Sequence, residues 1–263
     1  AFIMFGFMFG DVGHGAVIFL IGILLMRKKV GMGPVMVAGG ISSIIFGFLY
    51  GSIFGKEDIL PQKLISPMEN INTMLISGIA FGTILILIAM CLNIKNGIKT
   101  SDKQKIFFSE NGVAGFVFYC TILIAVVYFY LKGKLIVSAS ILGSILVIAL
   151  LCILFKDNIT NAIEHKKAKE KSSIAEKIFE LIETLLSFAS NTISFVRLSA
   201  FAINHVGLCM AIYILAGMTS GAGNLAIAIF GNVLVIALEG LIVGIQVLRL
   251  EYYELFSRFY SGN

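Results

Sequence analysis

Seven long apolar runs, separated by short polar or charged stretches, limit the fold of this chain more than any other sequence feature. A hydrocarbon core of about 30 Å requires roughly 20 apolar residues in each helical span. Lipid offers no hydrogen-bond partners, and a helix satisfies its own backbone groups within one segment. The runs lie at 1–26, 33–55, 69–94, 109–131, 135–155, 179–218 and 222–260. We therefore predict an all-α integral membrane protein.

The composition and the charge distribution agree with a membrane protein. Hydrophobic residues make up 58% of the chain and charged residues only 13%, whereas a soluble domain carries about 25% charged residues. The net charge of +5 does not indicate nucleic-acid binding, because the Lys residues lie between the apolar runs and form no single basic surface. Membrane orientation explains their placement better.

The first run contains a polar, glycine-rich interruption, Asp11-Val12-Gly13-His14-Gly15. We interpret it as the end of one helix, a turn, and a second helix that returns. The chain then has about eight transmembrane helices, including an N-terminal broken hairpin and two long, tilted C-terminal helices. Glycines at small-xxx-small spacing, such as Gly47, Gly51 and Gly55, let helix backbones approach closely, so we predict packing roles for them.

The Lys and Arg residues between the runs predict the topology. One set of separators holds about thirteen of them and the other about four, which places the first set in the cytoplasm. The cytoplasmic separators are 27–29, 95–108 and 156–178, and the opposite ones are 56–68 and 132–134. The C-terminus, with Arg258, is then cytoplasmic.

We divide the chain into three parts: N-terminal membrane helices at 1–155, a cytoplasmic connector at 156–178, and a long helix pair at 179–263. Residue 1 lies inside an apolar run, without an initiator Met or a cleavage signal. We therefore expect the chain to be the C-terminal part of a longer polypeptide.

The cysteines Cys91, Cys120, Cys152 and Cys209 are scattered through apolar segments, and the chain has only three His. This pattern supports neither a disulfide framework nor a metal site, and we expect buried, inert thiols. No Walker A pattern or other phosphate loop is present. We therefore predict no metal, no cofactor and no catalytic residue in this chain.

Arg197 is the only formally charged residue between Glu183 and Glu239. An Arg at the centre of a membrane helix costs about 2.5 to 3.5 kcal/mol, so such residues are rare and face protein or water. At about 100° per residue, Asn204 lies roughly 20° and Glu183 roughly 40° from Arg197 around the helix. His205 lies roughly 80° away, so one broad polar sector contains all four side chains.

Arg249 is a second candidate, and Gln246 and Glu239 precede it at roughly 60° and 80° around its helix. A guanidinium stays protonated and favours the ionised form of a carboxylate brought beside it, so a passing carboxylic acid would lose its proton. Offset polar groups would line aqueous half-channels that lead ions to and from that point. The structural alternative is an Arg–Glu pair that holds helices together.

Two other kinds of protein explain parts of this pattern. A secondary transporter would use intramembrane Arg and Glu in a substrate or proton pathway, but it predicts internal repeats with matching broken helices, and no such repeat is visible. A structural anchor explains the glycine spacing but not Arg197. Run 179–218 would extend about 60 Å as one helix, twice the bilayer core, so it requires tilt, a kink or a cytoplasmic extension.

Four segments resemble the membrane domain of the V-type ATPase a subunit, which is called subunit I in archaeal and bacterial A/V-type enzymes. They are MFGDVGHG at 8–15, GISSIIFGFLYGSIFG at 40–55, SNTISFVRLSAFAINH at 190–205 and ALEGLIVGIQVLRLEYYELFSRFYSG at 237–262. Together they extend over nearly the whole chain, and the two Arg segments are specific in order and context.

The resemblance implies roles for particular residues. Arg197 and Arg249 match the family's paired arginines, which face the ion-carrying carboxylate of a ring of proteolipid c subunits. Positions of polar half-channel residues in the family are matched by Glu183, Ser187, His205, Glu239 and Gln246. Ser187 stands where a eukaryotic relative would have Asn. Asp11 and His14 match the family's glycine-rich signature, where a packing or turn role and an ion contact are both open.

The resemblance also implies an all-helical stator that couples H⁺ or Na⁺ movement to ring rotation, and thereby to ATP hydrolysis or synthesis on other subunits. The chain is then not an enzyme by itself. Its partners are the c ring, other stator and central-stalk subunits, the lipid bilayer and the transported ion, with no nucleic acid. A soluble cytoplasmic domain would precede the chain, and the compact loops favour a prokaryotic plasma membrane.

Overall fold

The computed structural model describes residues 1–56, 67–68, 70–100, 112–132, 139–154 and 174–257. These residues form helices and turns, with no β-strand among them. The α-helices are α1 Phe2–Met8, α2 Val12–Arg27, α3 Gly33–Tyr50, α4 Ile71–Thr100, α5 Val113–Lys132, α6 Ala139–Leu154, α7 Ile174–Ser194, α8 Val196–Gly217, α9 Ala222–Leu234 and α10 Gly240–Arg249. Two π-helical segments, Val235–Glu239 and Leu250–Phe256, precede and follow α10.

Five helices of the described part are long and apolar enough to cross a membrane. They are Gly33–Tyr50, Ile71–Lys99, Val113–Tyr130, Glu176–Gly217 and Ala222–Phe256. Large apolar side chains cover their outer faces, as at Phe230 and Leu241, which are 70% and 62% exposed. Such a surface suits lipid rather than water. The prediction of an all-α, multi-pass membrane protein is confirmed.

The chain divides into two compact units. The first consists of Ala1–Gly82 and Ile193–Tyr252, and the second of Thr83–Thr192 and Tyr253–Asn263. In the first unit, α1 and α2 both pack against α3. The candidate site described below lies in this first unit.

α1 runs in the same direction as α3. Ser42 donates from Oγ to the backbone oxygen of Phe2 at 2.6 Å, and Tyr50 donates from its hydroxyl to the backbone oxygen of Phe7 at 3.0 Å. The start of α1 therefore lies beside the middle of α3, and the end of α1 lies beside the end of α3.

α2 returns antiparallel along α3. A Cβ atom at Gly47 would overlap the backbone around Val12, and one at Gly40 would lie 2.6 Å from the amide nitrogen of Phe19. Because Gly40 precedes Gly47 while Phe19 follows Val12, the two helices run in opposite directions. The chain reverses at 9–11, so the structure has the turn and the returning helix expected in the first apolar run.

The roles of the glycines at the end of α3 differ in part from the prediction. Gly47 is a packing residue as expected. Gly51 and Gly55, however, have φ angles of 73° and 74°, in the left-handed region that side chains with a Cβ disfavour. Gly51 ends α3 as its C-cap and so has a turn role. Gly55 lies in the turn and also packs closely against α8, because a Cβ atom there would overlap Cβ of Cys209.

The two C-terminal apolar runs are helical but interrupted. A turn at Phe195 separates α7 from α8, and the amide of Leu198 donates to the Phe195 oxygen at 3.0 Å. The turn interrupts run 179–218 at one residue, and the run is helical on both sides of it. Run 222–260, treated above as one regular helix, contains both π-helical segments, where i→i+5 bonds locally widen the helix.

In the second unit, α5 packs beside α6 and also contacts the end of α7. The rings of Phe118 and Tyr119 lie 6.1 and 5.7 Å from that of Phe188, and the hydroxyls of Tyr119 and Thr192 are 2.9 Å apart. The predicted connector 156–178 lies largely outside the described residues, and only its last part is described, at the start of α7.

Candidate functional site

A buried hydrogen bond joins α8 to the π-helical segment before α10. His205 on α8 has its Nδ1 atom 2.7 Å from Oε2 of Glu239, and the two side chains are only 1% and 4% exposed. Asn204 donates from Nδ2 to the other carboxylate oxygen of Glu239 at 3.4 Å. Both oxygens of Glu239 are therefore held by neighbouring residues of α8.

The π-helical geometry helps to place Glu239, which is the last residue of Val235–Glu239. In a π-helix each amide reaches back five residues, so the side chains are rotated relative to a regular α-helix, and such segments are frequent at functional sites. Val235 at the start of the segment is buried, as is Glu239 at its end. The carboxylate therefore faces the protein interior within an otherwise apolar helix.

His14 brings the N-terminal hairpin to the same cluster. Its Nε2 lies 2.7 Å from Oδ1 of Asn232, and Asn232 donates from Nδ2 to the Ala228 oxygen at 2.7 Å. The rings of His14 and His205 are 5.3 Å apart in a T-shaped arrangement, and the ring of Phe9 lies 4.6 Å from that of His205. Residues far apart in the sequence thus form one enclosed polar cluster.

The Asp11 carboxylate accepts hydrogen bonds that hold the backbone next to this cluster. Its Oδ1 accepts from the amides of His14 and Phe54, both at 2.9 Å. Its Oδ2 accepts from Ser52 Oγ and from the Gly55 amide, both at 2.6 Å. A fully buried carboxylate with four donors is compatible with its surroundings. The contacts favour the turn and packing role for Asp11, because it caps α2 and holds the turn after α3.

Cys209 completes the cluster from one turn further along α8. His14, His205 and Cys209 each offer one metal-ligating atom, and these atoms all lie within 4.8 Å of one another. All three side chains are buried. The sequence predicted no metal site because the three residues show no recognisable ligand spacing along the chain.

The predicted arginines lie on the same two long apolar helices as His205 and Glu239, namely Glu176–Gly217 and Ala222–Phe256. Arg197 is half-buried near the start of α8, about two turns before His205. Arg249 is the last residue of α10 and is exposed. Gln246, also on α10, is half-buried, and its Oε1 is enclosed without a hydrogen-bond partner among the described residues.

Glu183 and Ser187 occupy α7 and belong to the second unit. Both side chains are exposed, and Ser187 accepts a hydrogen bond from Asn191 Nδ2 at 3.3 Å, one turn further along the helix. Of the predicted site residues, the structure thus brings His205 and Glu239 into direct contact, together with Asn204.

Comparisons with known proteins agree with the resemblance. No family model matches the sequence. The chain is 28% identical to the A-type ATP synthase subunit I of Saccharolobus solfataricus over 99% of this chain and 48% of that protein. It is 25% identical to the subunit of the same name from Pyrococcus horikoshii over 98% of this chain and 40% of that protein.

A third match covers a shorter part of the chain at a higher sequence identity. Over 97 residues, 35% of this chain and 14% of the relative, the identity with A-type ATP synthase subunit I of Aeropyrum pernix is 38%. The first two matches cover nearly the whole chain, and all three support the resemblance to A-type ATP synthase subunit I. The chain spans less than half the length of the Saccharolobus and Pyrococcus relatives.

The sequence did not predict the contact that brings His14 to His205. The only signal was the polar pair Asp11 and His14 in a glycine-rich interruption of an apolar run. Such an interruption needs buried partners, but it does not say which helix supplies them. The structure places those partners on α8 and α9.

Proposed function

We propose that this chain is the membrane stator of a rotary ATPase and carries part of the path by which H⁺ or Na⁺ crosses the membrane. The observation that carries the proposal is the buried contact between His205 and Glu239. His205 lies on α8, which also bears Arg197. Glu239 lies on the long helix Ala222–Phe256, which also bears Arg249. The names of the relatives support a place in an A-type ATP synthase.

The His205–Glu239 contact has the geometry of a proton relay. At 2.7 Å, a proton can pass between a ring nitrogen and a carboxylate oxygen, which are groups that enzymes use as acids and bases. Asn204, which hydrogen-bonds the same carboxylate, is exposed. Polar groups therefore extend from the surface of α8 to the enclosed carboxylate, and intramembrane ionisable residues of this kind commonly mark ion pathways.

Arg197 and Arg249 would act on the rotor rather than on the substrate of a chemical reaction. A guanidinium remains protonated and stabilises the ionised form of a carboxylate that comes near it. An ion-carrying carboxylate on a proteolipid c ring would release its ion beside these arginines and take up another after leaving them. The exposed position of Arg249 at the end of α10 supports such an encounter.

The remaining predicted residues complete the proposed half-channels. Gln246 follows Glu239 by about two turns on α10, with a buried amide oxygen available to a passing ion or water. Glu183 and Ser187 present exposed polar groups on α7. Together with His205 and Glu239 they would lead ions to the ring carboxylate and away from it.

The proposal places ATP chemistry on other subunits, so the chain itself is not an enzyme. Its proposed partners are the c ring, other stator and central-stalk subunits, and the transported H⁺ or Na⁺. We propose residues 1–155 as a scaffold, 156–178 as a cytoplasmic connector and 179–263 as the part that faces the ring. A soluble N-terminal domain, a cytoplasmic C-terminus and a prokaryotic plasma membrane complete this assignment.

ATP-driven ion uptake by the complete complex in proteoliposomes tests the proposal. Arg197→Gln and Arg249→Gln should each abolish uptake while subunit composition and ATP binding remain normal. Arg27→Gln, which removes an exposed guanidinium at the end of α2, is the matched control and should leave uptake intact. Unchanged uptake in both variants, or uptake that proceeds without ATP, would reject the stator in favour of an anchor or a secondary transporter.

A further inference from the structure

The buried cluster contains two imidazole nitrogens with unused lone pairs. The first belongs to His205, whose Nδ1 faces the carboxylate of Glu239 at 2.7 Å. Because a carboxylate only accepts hydrogen bonds, Nδ1 carries the proton, and in a neutral ring Nε2 then carries a lone pair. This Nε2 is enclosed and has no hydrogen-bond partner in the described part of the chain.

The second imidazole nitrogen with an unused lone pair belongs to His14. The amide of Asn232 donates from Nδ2 to the Ala228 oxygen, so Asn232 presents its oxygen to Nε2 of His14, which must donate. In the neutral ring the lone pair is therefore on Nδ1. That atom is also enclosed without a hydrogen-bond partner among the described residues, and the nearest charged oxygen, Asp11 Oδ1, is 3.5 Å away.

Cys209 supplies a third ligand beside the two histidines. His205 and Cys209 are four residues apart on α8, which places them on the same face of the helix. The thiol is 1% exposed and lies against the turn at Gly55. The ligating atoms of Cys209 and the two histidines lie within 4.8 Å of one another.

We propose that His14, His205 and Cys209 bind a single Zn²⁺ ion. Imidazole nitrogen and thiolate sulfur are the ligands that zinc prefers in proteins, whereas Mg²⁺ and Ca²⁺ require oxygen ligands. Zinc bonds of about 2.0 Å to nitrogen and 2.3 Å to sulfur put tetrahedral ligand atoms roughly 3.3 to 3.6 Å apart. The cluster reaches that spacing if its widest separation contracts by about 1 Å.

The surroundings fit a metal ion in two further ways. Ligating histidines commonly donate their second ring N–H to a carboxylate or carbonyl, which fixes the tautomer and raises ligand basicity. His205 donates in this way to Glu239, and His14 donates to Asn232. Asp11 already accepts from four donors, so the site has three protein ligands and one position for water.

Metal binding removes one proton, from the Cys209 thiol. It also occupies Nε2 of His205, so the ring cannot relay protons to Glu239 while zinc is bound. The Cys209 thiol loses its proton to solvent when the sulfur–zinc bond forms, while both histidines already present lone pairs. The resulting thiolate and the nearby carboxylates of Asp11 and Glu239 offset the charge of the ion. Zinc would also link the N-terminal hairpin to α8, since His14 lies on α2 and the other two ligands on α8.

Cobalt spectroscopy of the complete complex tests the site. The complex is produced in cells grown with and without added zinc, stripped with a chelator, and then incubated with Co²⁺ as the probe. The native complex should show a thiolate-to-cobalt charge-transfer band that Cys209→Ser lacks. Cys120→Ser, which removes a thiol from α5, is the matched control and should keep the band.

Zinc content gives an independent measurement. After growth with zinc, the native complex and the Cys120→Ser control should contain one more zinc ion per complex than Cys209→Ser, and His205→Gln should match Cys209→Ser. Size-exclusion chromatography shows that the compared complexes are assembled. Equal zinc content and equal cobalt spectra in the native and Cys209→Ser complexes would overturn the proposal.

Discussion

His205 and Glu239 are joined by a hydrogen bond of 2.7 Å between side chains that are almost fully enclosed. Glu239 lies inside a helix whose other residues are mostly apolar, so its carboxylate would be costly without partners. α8 supplies both partners, His205 and Asn204. The contact therefore stabilises the helix pair and, under the proposed function, also provides a step for a proton.

Replacing Glu239 with Gln should reduce ATP-driven ion uptake roughly 100-fold, since proton transfer by a positioned side chain contributes on this order. The amide keeps the size and one acceptor oxygen of the carboxylate but cannot take up a proton. Uptake in proteoliposomes that contain the assembled complex measures the effect. Glu176→Gln, at an exposed position near the start of α7, should retain normal uptake, and equal uptake in both variants would contradict the role of Glu239.

A double-mutant cycle between His205 and Glu239 should give a coupling free energy of about 1.5 to 3 kcal/mol, the range for hydrogen bonds to charged groups. The cycle compares His205→Gln, Glu239→Gln and the double variant by denaturant unfolding in detergent. His205 paired with Gln246 is the control, because no hydrogen bond joins them among the described contacts. That second cycle should be additive within about 0.5 kcal/mol, and additivity in both cycles would show that the buried contact contributes nothing.

Asp11→Asn should lower the free energy of unfolding by about 2 to 4 kcal/mol, through loss of a helix cap and of charge-assisted hydrogen bonds. The new NH₂ group would face donors that now point at the carboxylate, namely Ser52 Oγ and the Gly55 amide. Ser52→Ala removes one of these donors and should cost less, about 1 to 1.5 kcal/mol. Thermal unfolding in detergent compares the stability of the two variants. A larger loss of stability in Ser52→Ala than in Asp11→Asn would refute the capping role.

The apolar runs predict the helices because the bilayer allows few other backbone structures. Runs 33–55 and 69–94 contain α3 and most of α4, and the break at Asp11 to Gly15 corresponds to the turn between α1 and α2. These features depend on local sequence, namely hydropathy, a cap residue and glycines. A single sequence is enough to locate them.

The pairing of side chains across helices could not be predicted in the same way. His205 and Glu239 were candidates on separate helices, and helical angles relative to Arg197 and Arg249 cannot show that they touch. Their contact depends on how the helices pack and on the π-helical turn that ends at Glu239. The approach of His14 depends further on α2 packing closely against α3. No residue pattern in α8 encodes that approach.

Close packing at Gly47 leads to the last prediction. A Cβ atom there would overlap backbone atoms of Asp11 and Val12, and backbone cannot move aside as a flexible side chain can. Gly47→Ala should therefore destabilise the protein by about 1 to 3 kcal/mol, the usual cost of overpacking.

Gly207→Ala is the matched control within α8, because nothing among the described residues lies within 4 Å of its added methyl group. The control should be neutral or stabilising by up to about 1 kcal/mol through helix propensity. Both free energies come from denaturant unfolding in detergent. If Gly47→Ala were as stable as Gly207→Ala, the close α2–α3 interface that positions Asp11 and His14 would be wrong.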